Sequence, residues 1–80
     1  MWIILKIEIK NNYDGKLEYC QHDIIRTTDS LDEAKEILKK EVDQTLENGY
    51  FDKEIYRGET VAQLTNGGTA YLRYTIEGVN

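Results

Sequence analysis

The chain has 80 residues, with 10 Lys and Arg against 15 Asp and Glu for a formal net charge of −5, and its pI is near 4.8. That length holds a single domain, residues 1–80, because two cores of about forty residues each would need disulfides or metals, and one Cys allows no internal disulfide. A 40% hydrophobic share with 10% aromatic residues excludes the disordered class, and the acidic balance argues against direct nucleic acid or anionic lipid as a partner.

The apolar start Trp2-Ile3-Ile4-Leu5 gives way to Lys6, too short for a signal-peptide core or a membrane helix. With a lone thiol, the reading is a cytoplasmic protein with no membrane partner, of a bacterium or of a host carrying a foreign gene. Asp14-Gly15 predicts a two-residue hairpin turn between strands at 2–10 and 17–27, both rich in β-branched and aromatic residues. That register pairs Ile9 with Cys20, Ile7 with His22, Leu5 with Ile24 and Ile3 with Arg26, and predicts that these pairs point inward. Lys6 opposite Asp23, Ile4 opposite Ile25 and Trp2 opposite Thr27 then face outward.

Ser30-Leu31-Asp32-Glu33 has the spacing of a capping box. The apolar positions Leu31, Ala34, Ile37, Leu38, Val42, Thr45 and Leu46 form one stripe of an amphipathic helix over about 31 to 48, stopped by Gly49. Asn66-Gly67-Gly68 predicts a second hairpin between strands at 60–65 and 69–77. There Ala70, Leu72, Tyr74 and Ile76 face the core, with Leu64 opposite Ala70 and Ala62 opposite Leu72.

The fold class predicted from these elements is α+β, a two-layer ββαββ sandwich: a four-stranded sheet with one helix on one face. The order hairpin, helix, hairpin resembles that of ubiquitin-type and immunoglobulin-binding β-grasp domains, a likeness of element order with no shared motif. It implies first and last strands side by side and parallel. The chain ends Glu77-Gly78-Val79-Asn80 without a Gly-Gly tail, so conjugation is not implied.

Two surfaces stand out. Residues 29 to 54 hold nine acids against four lysines, so the helix and the turn after it carry the whole net charge. Asp32, Glu36, Asp43 and Glu47 form the acidic ridge expected to meet a protein with a basic surface. On the outer sheet face Trp2, Ile4, Tyr19, Ile25, Tyr71 and Arg73, with Val61, expose more apolar surface than solvent tolerates, which predicts a homo-oligomer or a bound partner there.

Cys20 and His22 share a strand face, the spacing of two metal ligands or of a thiolate and imidazole, but no second Cys or His exists to complete a zinc site. The register turns both toward the core, which predicts a slowly alkylated, structural thiol. No glycine-rich phosphate loop opens the helix. No catalytic residue, metal or cofactor is therefore expected. The functional expectation is a small acidic protein-binding module without enzymatic activity, of the kind a phage inhibitor of a nucleic-acid-handling protein provides (anti-defence or anti-CRISPR-like). The alternative is a homo-oligomer holding a small ligand.

Overall fold

The computed structural model describes residues 1–11 and 16–79, with 18 and 19 as backbone alone. It is α+β: strands β1 (Trp2–Asn11) and β2 (Leu17–Thr28), helix α1 (Leu31–Asn48), then strands β3 (Lys53–Arg57), β4 (Val61–Thr65) and β5 (Ala70–Gly78). The sheet has five strands in the order β2-β1-β5-β4-β3, and every neighbouring pair is antiparallel. No helix among the described residues is long and apolar enough to cross a membrane.

Helix α1 follows from local chemistry. The Glu33 amide donates to the Ser30 side-chain oxygen at 3.2 Å, leaving one fewer orphan N–H in the first turn, and Asp32 and Glu33 complement the positive end of the helix. The Ser30 amide donates to Thr28 Oγ1 at 3.2 Å, so the return bond expected from Glu33 is replaced by a hydroxyl from the preceding strand. At the other end Gly49 sits at φ 83° and its amide reaches the Leu46 carbonyl, a left-handed stop that suits a residue without Cβ. Ala34, Leu38 and Val42 form the buried stripe, flanked by Leu31, Ile37 and Leu46.

Against that stripe the sheet sets Ile4, Ala62, Leu64, Ala70, Leu72, Tyr74 and Ile76, with Phe51 closing the end after the helix. Phe51 meets Tyr50 edge to face, 4.9 Å between centroids. Tyr74 is 1% exposed, and its hydroxyl lies 2.8 Å from Thr45 Oγ1. Thr45 in turn donates to the Glu41 carbonyl at 2.8 Å, so Tyr74 is the donor to Thr45 and the buried phenol is satisfied.

Four expectations are corrected. The four-stranded ββαββ sheet gains β3, a fully exposed edge strand whose sequence Lys-Glu-Ile-Tyr-Arg has no buried alternation to announce it. That extra antiparallel strand reverses the direction of everything after it. β1 and β5 are therefore neighbours, as expected, but antiparallel, and the parallel β-grasp arrangement does not form. In the second hairpin Leu64 pairs with Leu72 and Ala62 with Tyr74, two residues away from the predicted partners but on the same faces. There the Asn66 side chain accepts from the amides of Gly68 and Ala70, both at 3.1 Å, while Gly67 takes φ 92°, and the last pair, Thr65 with Tyr71, encloses residues 66–70, a loop two residues longer than the three predicted.

The first hairpin also departs from expectation. Its pairing is as predicted from Leu5–Ile24 to Lys10–Tyr19, but its faces are inverted. Trp2, Ile4 and Ile25 lie under the helix, with Ile4 fully buried, so they do not belong to the outer face. The reason is non-local: β1 pairs with β5 so that Ile4 matches Ile76, which carries the even positions of β1 onto the core side. A bulge between Ile4 and Leu5 inserts Ile25 into β2, and Arg26 rather than Ile25 pairs with Ile4. The predicted Asp14-Gly15 turn lies outside the described residues.

Candidate protein-binding surface

The strand pairing fixes what the helix leaves uncovered. On the helix-free face β1 presents Ile3, Leu5, Ile7 and Ile9, paired with Glu77, Thr75, Arg73 and Tyr71 of β5. β4 adds Val61, Gln63 and Thr65, and β2 adds Ile24, His22 and Cys20. All four β1 residues are half-buried, because their neighbours in the sheet shade them, yet none belongs to the hydrophobics packed around the core. Ile24 is 61% exposed. Thr75 is buried at the floor between Leu5 and Val61, its hydroxyl without a hydrogen-bond partner.

The contrast along β1 is a strong signal. Its core-side positions beyond Ile4 are Lys6, Glu8 and Lys10, while the unbroken apolar series Ile3, Leu5, Ile7, Ile9 faces away from the helix. A strand whose more regular apolar side is the uncovered one forfeits roughly 25 cal/mol for each Å² left wet, which is the mark of a surface meant to be covered.

Of the predicted sheet-face residues, Val61, Tyr71 and Arg73 lie on this face; the side chain of Tyr19 lies outside the described residues. Ile3, Leu5, Ile7 and Ile9 also lie here; their alternation is visible in the sequence but points equally well to the core, where the predicted register puts them.

The acidic ridge is placed differently. Asp32, Glu36, Asp43 and Glu47 are all exposed on α1, but Asp43 is drawn out of the series by Arg57, whose guanidinium donates to its carboxylate at 2.8 Å and also to Glu54. The Asp43 hydrogen bond foremost, with Glu54 adding to it, pushes the Arg57 pKa further up. Lys35 is paired with Glu59 at 3.2 Å. These links span a groove of about 420 Å³ between α1 and the β3–β4 turn, with Leu38, Val42 and Ala62 at its floor and Asp32, Glu36 and Lys39 on its rim.

The thiol is corrected as well. Cys20 is exposed, 4.0 Å from His22 Nε2, both on the helix-free face of the edge strand β2. The inversion of the first hairpin that buries Ile4 is what turns Cys20 outward. Among the described residues no group of three or more His, Cys, Asp or Glu side chains is gathered for a metal ion.

Comparison of the chain with protein-family models, with curated proteins and with solved structures found no match. The functional reading therefore rests on geometry.

Proposed function

We propose that the chain is a non-catalytic protein-binding module that acts by laying the helix-free face of its sheet on another protein surface. The observation that carries this reading is the uncovered Ile3, Leu5, Ile7, Ile9 series, joined by Ile24 and Val61. Apolar branched residues on a rigid sheet give contact area with little entropy to lose, and Tyr71 and Arg73 beside them are of the types that dominate binding energy in interfaces. The test is Leu5→Lys, which places a charge in the middle of the face and leaves the helix side untouched. It should keep the fold, read by circular dichroism and urea unfolding, and abolish association. A variant that folds and associates like wild type ends this reading.

A second surface supports the finer reading of a partner with a basic surface, such as an inhibitor of a nucleic-acid-handling protein. Asp32, Glu33, Glu36 and Glu47 are exposed and, among the described residues, form no ion pair. Such charges act chiefly on the rate of encounter. Glu36→Lys with Glu47→Lys should slow association with that partner and flatten its salt dependence, measured at two ionic strengths. Unchanged rates return the ridge to a solvated helix face.

A further inference from the structure

We infer that the occupant of the helix-free face is a second copy of this chain, stacked sheet on sheet about a two-fold axis that crosses the strands at the row Ile24, Leu5, Thr75, Val61. This rests on the reading of that face as a binding surface and names its partner.

Charge selects the geometry of stacking. Arg73 and Glu77 are exposed on the same side of the central strand β5, two residues to either side of Thr75. Neither forms an ion pair with a described residue of its own chain. A closed dimer needs a self-complementary patch, in which residue i meets j and j meets i. An axis running across the strands through Thr75 keeps each strand over its own copy and reverses its direction. Arg73 then opposes Glu77 of the second copy, twice, while Ile7 opposes Ile3, and Leu5 and Val61 oppose themselves. An axis along the central strand β5 would set Arg73 on Arg73 and Glu77 on Glu77, which like-charge repulsion disfavours. The charges thus select one of the two ways of stacking the same face. Sheets packed at about 10 Å leave room for an Arg and a Glu to meet between them.

Size agrees. Five strands about 4.8 Å apart, with β5 nine residues long, frame roughly 600 Å² of face per copy, so two copies cover on the order of 1,200 Å², the lower bound of standard interfaces. Net charge agrees too. The negative charge is concentrated in residues 29 to 54, mostly on α1, and this stacking makes the two helices the outermost layers, about 30 Å apart and beyond a Debye length of about 8 Å. Any contact through the helices would bring those charges together.

The experiment is sedimentation equilibrium of the full chain as wild type, Arg73→Glu, Glu77→Arg, the double reversal, and Leu5→Lys. Wild type should run at twice its 9.3 kDa mass. Each single reversal should weaken the dimer at least about tenfold, the double reversal should restore it, and Leu5→Lys should be monomeric. Restoration by the double reversal excludes misfolding as the cause. A monomeric wild type at high concentration overturns the proposal, as does a dimer that survives Leu5→Lys or is indifferent to the single reversals. The two readings fail separately. If wild type is monomeric but Leu5→Lys removes the binding of another protein, only the second copy is overturned; if Leu5→Lys removes nothing, both are.

Discussion

The two faces of one sheet differ more than their sequences do. On one, Ile4, Leu72, Tyr74, Ile76, Ala62 and Leu64 lie at 9% exposure or less beneath α1; on the other, Ile3, Leu5, Ile7 and Ile9 stay half-exposed beside an exposed Arg73 and Glu77. Hydrophobicity alone does not separate them, since the uncovered side of β1 is the more regularly apolar. What separates them is the presence of a layer. The helix supplies it on one side within the chain, and association supplies it on the other in the function proposed.

The largest effect that could break this contrast is cavity formation. Leu72→Ala on the covered face should cost about 2–5 kcal/mol, because a fully buried leucine leaves a void. Ile7→Ala on the uncovered face should cost roughly 1 kcal/mol at dilutions where copies are apart, because solvent fills the space. Urea unfolding of the two variants measures the difference, and equal costs would mean the faces are packed alike.

The covered face exists only while the helix does. Ser30→Ala removes the side-chain acceptor of the Glu33 amide and should cost about 1 kcal/mol. It should leave the association of folded molecules unchanged, since the cap touches nothing on the uncovered face. A loss of association equal to that of Leu5→Lys would show that the two layers are coupled.

Tyr74 adds a pH test. Burial foremost, then the charges of Glu41 and Glu8, raise its pKa above the ordinary 10.0, and the Thr45 hydroxyl, turned to donate to the phenolate, only partly opposes them. The folded protein therefore holds the phenol proton where the unfolded chain loses it. The contribution is fully present below the ordinary tyrosine value and is lost as pH rises from there toward the raised native value. Urea midpoints on either side of the ordinary value should show the loss in wild type and a shallower decline in Tyr74→Phe, which at neutral pH should cost about 1 kcal/mol for the lost hydrogen bond. Identical alkaline slopes would remove Tyr74 as the cause.

The smallest effect in energy is a reactivity. Cys20 is exposed on β2, so at dilutions where copies are apart native alkylation should proceed at nearly the rate seen in denaturant, and Cys20→Ser should shift stability by no more than about 0.5 kcal/mol. Slow labelling of the separated copies would return Cys20 to an interior and undo the assignment of faces in the first hairpin.

Much of this was legible in the chain itself. The helix 31–48 with Ser30 and Gly49 at its ends could be read directly, because capping and 3.6-residue periodicity are local and each signal lies within a few residues of what it controls. The second hairpin's faces were readable too, and with them the outward placement of Tyr71 and Arg73, because only one parity of β5 is apolar throughout. Three features were decided by tertiary structure. β3 has no buried side to betray it and exists as a strand because β4 offers an edge. The direction of β5 relative to β1 follows from counting that strand. The face of β1 was ambiguous in sequence, with Trp2 and Ile4 on one parity and Ile3, Leu5, Ile7 and Ile9 on the other. Alternation says that a strand has two sides, but which side meets the helix depends on which strand lies beside it, and β5 pairs with β1 from sixty or more residues away.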